Sequence, residues 1–177
     1  MSVWTTVQPA AGWTIHLAAR DGALTFLSLG MSARDFTRQF DGGERIDAAD
    51  NPVLREAADQ LGAYFAGTLR RFDLPLDLRG TSFQKRVWSE LLRIPFGETR
   101  SYGELARVVG NPNASRAVGA ANGRNPVAIV VPCHRVIGSD GGLAGFGGGL
   151  HYKRRLLDLE REAVTPSLFS RTCAAAG

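Results

Sequence analysis

Apolar residues alternate with polar ones at Ile15, Leu17 and Ala19, and a second apolar run, 23–29, follows the Asp21-Gly22 pair. Period-two alternation buries one face of a strand, and Asp-Gly suits the centre of a tight hairpin turn. Residues 14–19 and 23–29 are therefore expected to pair as a hairpin, although alternation is poor in the second strand. Residues 31–50 are polar and contain glycine, which predicts a loop. Asn51-Pro52 reads as an N-cap followed by proline in the first helical turn. Leu54, Ala57, Ala58, Leu61 and Phe65 then recur at helical spacing, with Gly67 as the stop. Strands followed by a helix make residues 1–78 a small α/β domain.

The pattern changes after that point. Thr81 or Ser82 caps a helix that carries Phe83, Val87, Trp88 and Leu91 inward and ends at Pro95 and Gly97. Ser101 and Glu104 have the spacing of a capping box and open a second helix with Leu105, Val108 and Val109 on its apolar face. The segment Gly110-Asn111-Pro112-Asn113 breaks it. A third helix follows, with Ala114, Ala117, Val118 and Ala121 inward and Ser115, Arg116, Gly119, Ala120, Asn122 and Gly123 outward. Two short helices across a four-residue break have the outline of a helix-turn-helix. The β-branched run 127–131 predicts a short buried strand, leading into Pro132-Cys133-His134-Arg135. Six glycines lie between Gly141 and Gly149, and an amphipathic helix runs from about Leu150 through Leu156, Leu157 and Glu160. The fold class expected is α/β: a strand-plus-helix domain (1–78) packed on a mostly helical domain (79–177) containing a helix-turn-helix.

Charge changes the picture by its distribution. The chain of 177 residues has a net charge of +4, but residues 1–75 carry 7 Lys/Arg against 9 Asp/Glu, and residues 76–177 carry 14 against 8. A basic C-terminal part suits a polyanionic partner. All its cations but Lys85 and Lys153 are arginine, whose planar fork of donors grips phosphate. The two cysteines, Cys133 and Cys173, do not suggest a disulfide framework, and a reducing compartment fits. The N-terminus lacks the basic flank and apolar run of a signal peptide, and no stretch approaches membrane-spanning length. A cytoplasmic protein is expected, nucleoid-associated if the source is bacterial.

The candidate chemistry centres on Cys133, where an apolar run meets a proline and the chain must turn. An isolated buried cysteine is most often an inert small hydrophobe. His134 alters that reading, because a thiol needs a base or a positive field to become a thiolate. Neighbours in an extended strand point to opposite faces, so the two cooperate only if the chain turns at Pro132 or a water bridges them. The imidazole also needs its other nitrogen anchored, and Glu160 on the last helix is the candidate. Small residues on the third helix would let it lie close to a duplex with little sequence preference, with Arg116 as its one long cation. The glycine cluster has neither the order of a phosphate loop nor that of a dinucleotide fingerprint. His16, His134 and His151 share no metal-ligand spacing with the cysteines, so no metal and no cofactor is expected.

From Asn125-Pro126 through Pro132-Cys133-His134-Arg135-Val136-Ile137-Gly138 the sequence resembles the O6-alkylguanine-DNA alkyltransferases, also called methylated-DNA–protein-cysteine methyltransferases. The Pro-Cys-His-Arg-Val run is highly specific. Phe83-Gln84, Val87-Trp88, Ile94-Pro95, Ser101-Tyr102-Gly103, Arg116-Ala117-Val118-Gly119 and Gly148-Gly149-Leu150 follow the same family in order and spacing. The resemblance covers roughly residues 77–160 and extends to the N-terminal part only in outline.

That resemblance implies DNA repair by direct reversal: one transfer of an alkyl group from the O6 of guanine, or O4 of thymine, to Cys133. His134 would activate the thiol through a water, oriented by Glu160. Tyr102 would contact the guanine and its phosphate and give it a proton. Arg116 would enter the base stack in place of the flipped nucleotide, beside Ser115 on the same helix. Asn125 would link that helix to the active-site turn. Val136 and Cys133 would offer carbonyls to the guanine amino group, the Gly147 N–H would reach O6, and Lys153 would hold the site from the last helix. The partner implied is double-stranded DNA carrying O6-alkylguanine, and the free protein is expected to be a monomer. Phe146 stands where many family members have tyrosine. Two other readings remain open at this level: a thiol hydrolase using Cys133, His134 and Glu160, and a DNA-binding protein without chemistry.

Overall fold

The computed structural model of the protein describes residues 1–40 and 43–165. Strand β1 (Ser2–Val7) pairs antiparallel with β2 (Ile15–Arg20), and β2 pairs antiparallel with β3 (Ala23–Leu29). A two-residue strand, β4 (Glu44–Arg45), lies parallel to β1, giving the order β3-β2-β1-β4. The hairpin turns where the pattern places it. Asp21 and Gly22 have φ of +50° and +81°, the left-handed pair that a two-residue turn needs.

The poor alternation in β3 has a physical cause. Its pairing with β2 slips, with Ala18 opposite Phe26 but Ala19 opposite Leu24. Thr25 is thus an extra residue, and the bulge brings Leu24 and Leu27 to one core although they are three positions apart. On the opposite face of the sheet Trp4 and Ala18 form a second, smaller cluster with Phe36 and Phe40.

That second cluster corrects the expectation of a loop over 31–50. Helix α1 (Ala33–Gln39) forms there, capped by the Ser32 hydroxyl, which accepts from the Asp35 N–H at 3.1 Å. Phe36 and Phe40, one turn apart, are its buried anchors. Two aromatics in a polar stretch are too sparse to show a helical period, yet enough to hold two turns on a sheet face.

Helix α2 (Pro52–Phe65) starts at Asn51, whose side chain accepts from the Val53 and Leu54 N–H groups. Its buried stripe is Leu54, Ala57, Leu61 and Tyr64, whereas Ala58 and Phe65 are only half-buried. In the C-terminal part, α3 (Ser82–Leu91) and α4 (Tyr102–Val108) each open on a capping box, Thr81 with Gln84 and Ser101 with Glu104. Helices α5 (Ser115–Gly123) and α6 (Leu150–Val164) complete the layer, with a two-stranded parallel pair of β5 (Arg100–Ser101) and β6 (Val136–Ile137). Trp88 ties α3 to α5 by donating its indole N–H to the Ala121 carbonyl at 2.9 Å.

Three expectations fail here. Val108 is exposed at the end of α4 and Ala106 is buried instead, because a two-turn helix docks through its first turns. Ala117 faces solvent, whereas Asn122 is buried. The inner stripe of α5 is Val118, Ala121 and Asn122, rotated so that the Asn122 amide reaches the Cys133 carbonyl at 3.3 Å. Residues 127–131 are not a strand. Val130 N donates to Ala128 O, Val131 N to Val127 O and Cys133 N to Val131 O, so the segment coils on itself, and Ile129 sits at φ +69°. Val127, Ile129, Val130 and Val131 are all buried. Their β-branched character reports burial, not extension.

The N-terminal sheet joins the helical part through the outer edge of β3. Leu27 exchanges hydrogen bonds with Pro126 and Ala128 of the helical part, while Leu24 on the same edge pairs with Pro75 and Asp77 at the end of the N-terminal unit. An edge otherwise left unpaired is satisfied in this way. The larger apolar core runs from Ile15 and Leu61 through Trp88 and Val118 to Leu156.

Candidate active site

Asn125 fixes the turn that carries Cys133. Its Oδ1 accepts from Val127 N at 3.1 Å and its Nδ2 donates to Val131 O at 2.7 Å. Pro132, at φ −81° and ψ 62°, then reverses the chain into a single 3₁₀ turn over Cys133–Arg135. The values at Pro132 are those of an inverse γ-turn, so Cys133 and His134 do not splay to opposite faces as strand neighbours would. Cys133 is 5% exposed and borders a cavity of about 210 Å³. Asn122, Asn125, Phe146 and Gly147 line that cavity from the helical part, and β3 and Met31 close it from the sheet. Burial pushes the Cys133 thiol up, against the Asn125 side chain and the Lys153 charge, which favour the thiolate.

Behind the cysteine is a buried polar cluster. Nε2 of His134 lies 2.7 Å from Oε1 of Glu160, and both side chains are essentially inaccessible to solvent. A carboxylate can only accept, so Nε2 carries the proton in the neutral ring. His134 Nδ1 is then the lone-pair nitrogen, and it is buried without a protein partner. Glu160 also accepts from Tyr64 Oη (2.7 Å), from Gly97 N (2.9 Å) and from the Arg135 guanidinium. Burial by itself would raise the Glu160 carboxyl, but the hydrogen bonds and charges of His134 and Arg135 overcome it and hold it at about 2. Burial lowers His134, with the Glu160 bond opposing.

The Gly-rich loop is fastened to this cluster by Lys153. Its Nζ donates to the Val136 and Ala144 carbonyls, both at 2.6 Å, and burial lowers it to about 8. Tyr102 Oη donates to the same Ala144 carbonyl at 2.9 Å. Burial raises the Tyr102 phenol, and the nearby Cys133 thiolate would raise it further. Close glycine contacts seat the loop on the sheet. A side chain on Gly148 would meet the Leu29 carbonyl at 2.9 Å, and one on Gly30 the Gly148 carbonyl at 2.8 Å.

Of the ten residues singled out from sequence, Cys133, His134, Glu160, Asn125, Val136, Gly147, Lys153 and Tyr102 gather around this centre. Arg116 and Ser115 do not. They occupy the first turn of α5, Arg116 exposed and Ser115 half-buried, outside the Cys133 cavity. Cys173 lies outside the described residues. Among the described residues no group of three or more His, Cys, Asp or Glu could hold a metal, and no helix is long and apolar enough to cross a membrane.

Comparison with known proteins settles the family. The model described as 6-O-methylguanine DNA methyltransferase, DNA binding domain, matches residues 82–162, and its companion, the ribonuclease-like domain, matches residues 3–78. The chain belongs to the 6-O-methylguanine DNA methyltransferase family. A methylated-DNA–protein-cysteine methyltransferase of Mycolicibacterium paratuberculosis is 52% identical over 169 residues, covering 95% of this chain and 98% of that protein. The crystal structure of the Mycobacterium tuberculosis O6-methylguanine methyltransferase superposes with a TM-score of 0.81 at 48% identity, over 95% of this chain and 98% of that one. The same organism's protein in complex with DNA matches with a TM-score of 0.79 at 48% identity, over 91% and 94% of the two chains.

Within this methyltransferase site, three polar residues were not picked out from sequence. Arg135 stands inside the Pro-Cys-His-Arg run, and that position was its only signal. Tyr64 neighbours Phe65, which the helical spacing puts on the inner stripe of α2, and only this last position of the stripe is shifted by one residue. Asn122 is a poor helix former inside a helix, a cue that its amide is engaged elsewhere.

Proposed function

We propose that this methyltransferase repairs alkylated DNA by direct reversal, moving the alkyl group from guanine O6 to Cys133 Sγ once per molecule. The observation that carries this reading is the buried His134–Glu160 pair at 2.7 Å behind a cysteine that borders a cavity. O6 lies on the pairing edge of guanine, so the base must leave the stack to meet a sulfur fixed in the protein. Helices α4 and α5 act as the helix-turn-helix that lies on the duplex, with Ser115 near the phosphates and Arg116 filling the space the flipped nucleotide vacates. The N-terminal unit (1–78) and the alkyltransferase unit (79–177) meet at the β3 edge. The protein is cytoplasmic, a monomer when free, and acts on double-stranded DNA.

The chemistry follows from the placement of donors. A buried thiol held neutral at rest must lose its proton as the substrate arrives. His134 Nδ1 takes it through a bridging water, while Glu160 keeps the opposite nitrogen protonated and stabilises the imidazolium. The thiolate then displaces at the alkyl carbon: an S–C bond forms and the C–O6 bond breaks, leaving its electron pair on guanine. Tyr102, whose raised phenol keeps its proton until a stronger base is presented, exchanges its Ala144 bond for the guanine and protonates it. Solvent later restores the phenol and takes the imidazolium proton. The Val136 and Cys133 carbonyls and the Gly147 N–H face the base edges, and Lys153 and Asn125 keep those backbone groups in register. The thioether product is inert to water, which limits the protein to one turnover.

Weighing the intact protein after incubation with an O6-methylguanine duplex tests the reading. One added methyl per chain, mapped to the Cys133 peptide, is expected. Ester or peptide turnover without a mass change would make it a thiol hydrolase. Tight binding to the lesion without a mass change would make it a binding module.

A further inference from the structure

Tyr64 is a fully buried phenol that none of the steps above uses. It belongs to α2, in the N-terminal part, and reaches across to the catalytic cluster in the C-terminal part. Its hydroxyl donates to Glu160 Oε1 at 2.7 Å, the oxygen that also takes the His134 Nε2–H at 2.7 Å, and it lies 3.5 Å from Nε2 itself. The ring is set by aromatic neighbours, with Phe65 and Phe72 at centroid distances of 5.3 Å and Phe96 at 5.8 Å.

We propose that Tyr64 is a positioning residue for the alkyl-transfer relay: it shares Glu160 Oε1 with His134 and so sets the basicity of the imidazole. This inference rests on the alkyl-transfer reading of the site. Oε1 also accepts from Arg135 Nη2 at 2.9 Å, and donors on one oxygen compete for the same negative charge, so the phenol hydrogen bond further weakens the pull of the carboxylate on the imidazole proton. The phenol stays protonated throughout the working range, because burial and the adjacent Glu160 charge raise it well above 10. Among the described residues the other ionisable groups around His134 are Arg135 and Cys133 on its own turn and Lys153 and Glu160 on α6. None of these comes from the N-terminal part. Through Tyr64 that part contributes to the chemistry as well as to the core.

The test is the pH dependence of single-turnover alkyl transfer to a methylated duplex, with a parallel ¹⁵N NMR titration of the His134 ring. Tyr64→Phe keeps the aromatic contacts and removes only the donor. The unshared carboxylate holds the imidazole proton more tightly, so the acid limb and the His134 titration should both move up by about 0.5–1 pH unit, one hydrogen bond passed partly to the ring. Phe72→Leu, which loosens the same packing without touching Glu160, should lower the melting temperature and leave the limb in place. Site-specific 3-fluorotyrosine at position 64 is nearly isosteric and a stronger donor, so it should move the limb down; this arm remains decisive if Tyr64→Phe fails to fold. An unmoved limb and His134 titration in either position-64 variant overturns the proposal. Absence of transfer by the wild-type protein would instead remove the alkyl-transfer reading on which it rests.

Discussion

Arg135 grips Glu160 through both carboxylate oxygens, with Nε 2.9 Å from Oε2 and Nη2 2.9 Å from Oε1. The remaining arm of the guanidinium donates to the Ile94 carbonyl at 2.6 Å. The pair is almost wholly removed from water. Two buried charges survive there because each is saturated with partners, and removing one would strand the other at a cost of about 3–5 kcal/mol. In the proposed mechanism the Pro-Cys-His-Arg run therefore delivers three functions in consecutive residues: a nucleophile, a base and the counter-ion of the carboxylate that orients the base.

This arrangement makes the fold acid-sensitive. Glu160 is held at about 2 against an ordinary 4.5, so its stabilisation is complete above 4.5 and is lost as the pH falls toward 2. His134 is lowered from 6.5, so the unfolded chain takes up its proton first and stability also declines below 6.5. Both groups act with the same sign. The Glu160 part amounts to roughly 3 kcal/mol. Calorimetric melting temperatures from neutral pH downward should fall steadily in the wild type. Glu160→Gln should melt lower at pH 7 and lose the portion of the slope between 4.5 and 2; an unchanged slope would place the acid response in other carboxylates.

Cys133→Ser should abolish alkyl transfer and leave DNA binding largely intact. A serine hydroxyl is a far poorer nucleophile at neutral pH, and Ser115 and Arg116, the residues proposed to meet the duplex, do not line the Cys133 cavity. Binding to a methylated duplex by anisotropy and transfer by mass spectrometry separate the two properties. Alkyl recovered on Cys173, or more than one equivalent transferred, contradicts the mechanism.

Much of this site was legible in the sequence because its signals were local. The Ser101–Glu104 capping box, the Asn51-Pro52 helix start and the Asp21-Gly22 turn each need only a few adjacent residues, and all appear where the pattern puts them. The pattern asks for a turn at Pro132 or a bridging water if Cys133 is to cooperate with His134, and it offers Glu160 as the anchor for the ring. What stayed hidden was set by tertiary contacts. Helix α1 depends on a second core on the far face of the sheet, and the coil at residues 127–131 is tied at its start to β3, where Leu27 bonds Pro126 and Ala128. Tyr64 reaches Glu160 across 96 positions of sequence, a proximity that no period or propensity encodes.

Arg116→Ala should slow repair of duplex DNA much more than reaction with free O6-benzylguanine. The side chain is exposed on the first turn of α5, away from the Cys133 cavity. Its proposed work is to hold the flipped state, which a free base does not need. Rates on the two substrates, measured side by side, decide the matter. Equal losses would assign Arg116 to folding or to the pocket.

Phe146 should matter modestly, and more for fit than for chemistry. It lies half-buried on the wall of the cavity that Cys133 borders, next to Gly147. A tyrosine there would add one neutral hydrogen bond at most, about 0.5–1.5 kcal/mol net, while the ring already supplies an aromatic face for guanine or its alkyl group. The His134–Glu160 pair lies on other elements, and Tyr102 and Lys153 bond the backbone of this loop at Ala144, not the side chain of residue 146. Phe146→Tyr should therefore change the rate on an O6-methylguanine duplex by no more than roughly tenfold, the kinetic equivalent of that one bond. Larger adducts should respond more, since they fill more of a cavity of only about 210 Å³ and meet the ring edge directly. Stopped-flow traces for both proteins on the same methylated and benzylated duplexes provide the comparison. A gain of several orders of magnitude on the methyl lesion would mean that the natural site is crippled without a hydroxyl at this position, and that the ring is not enough to hold the base.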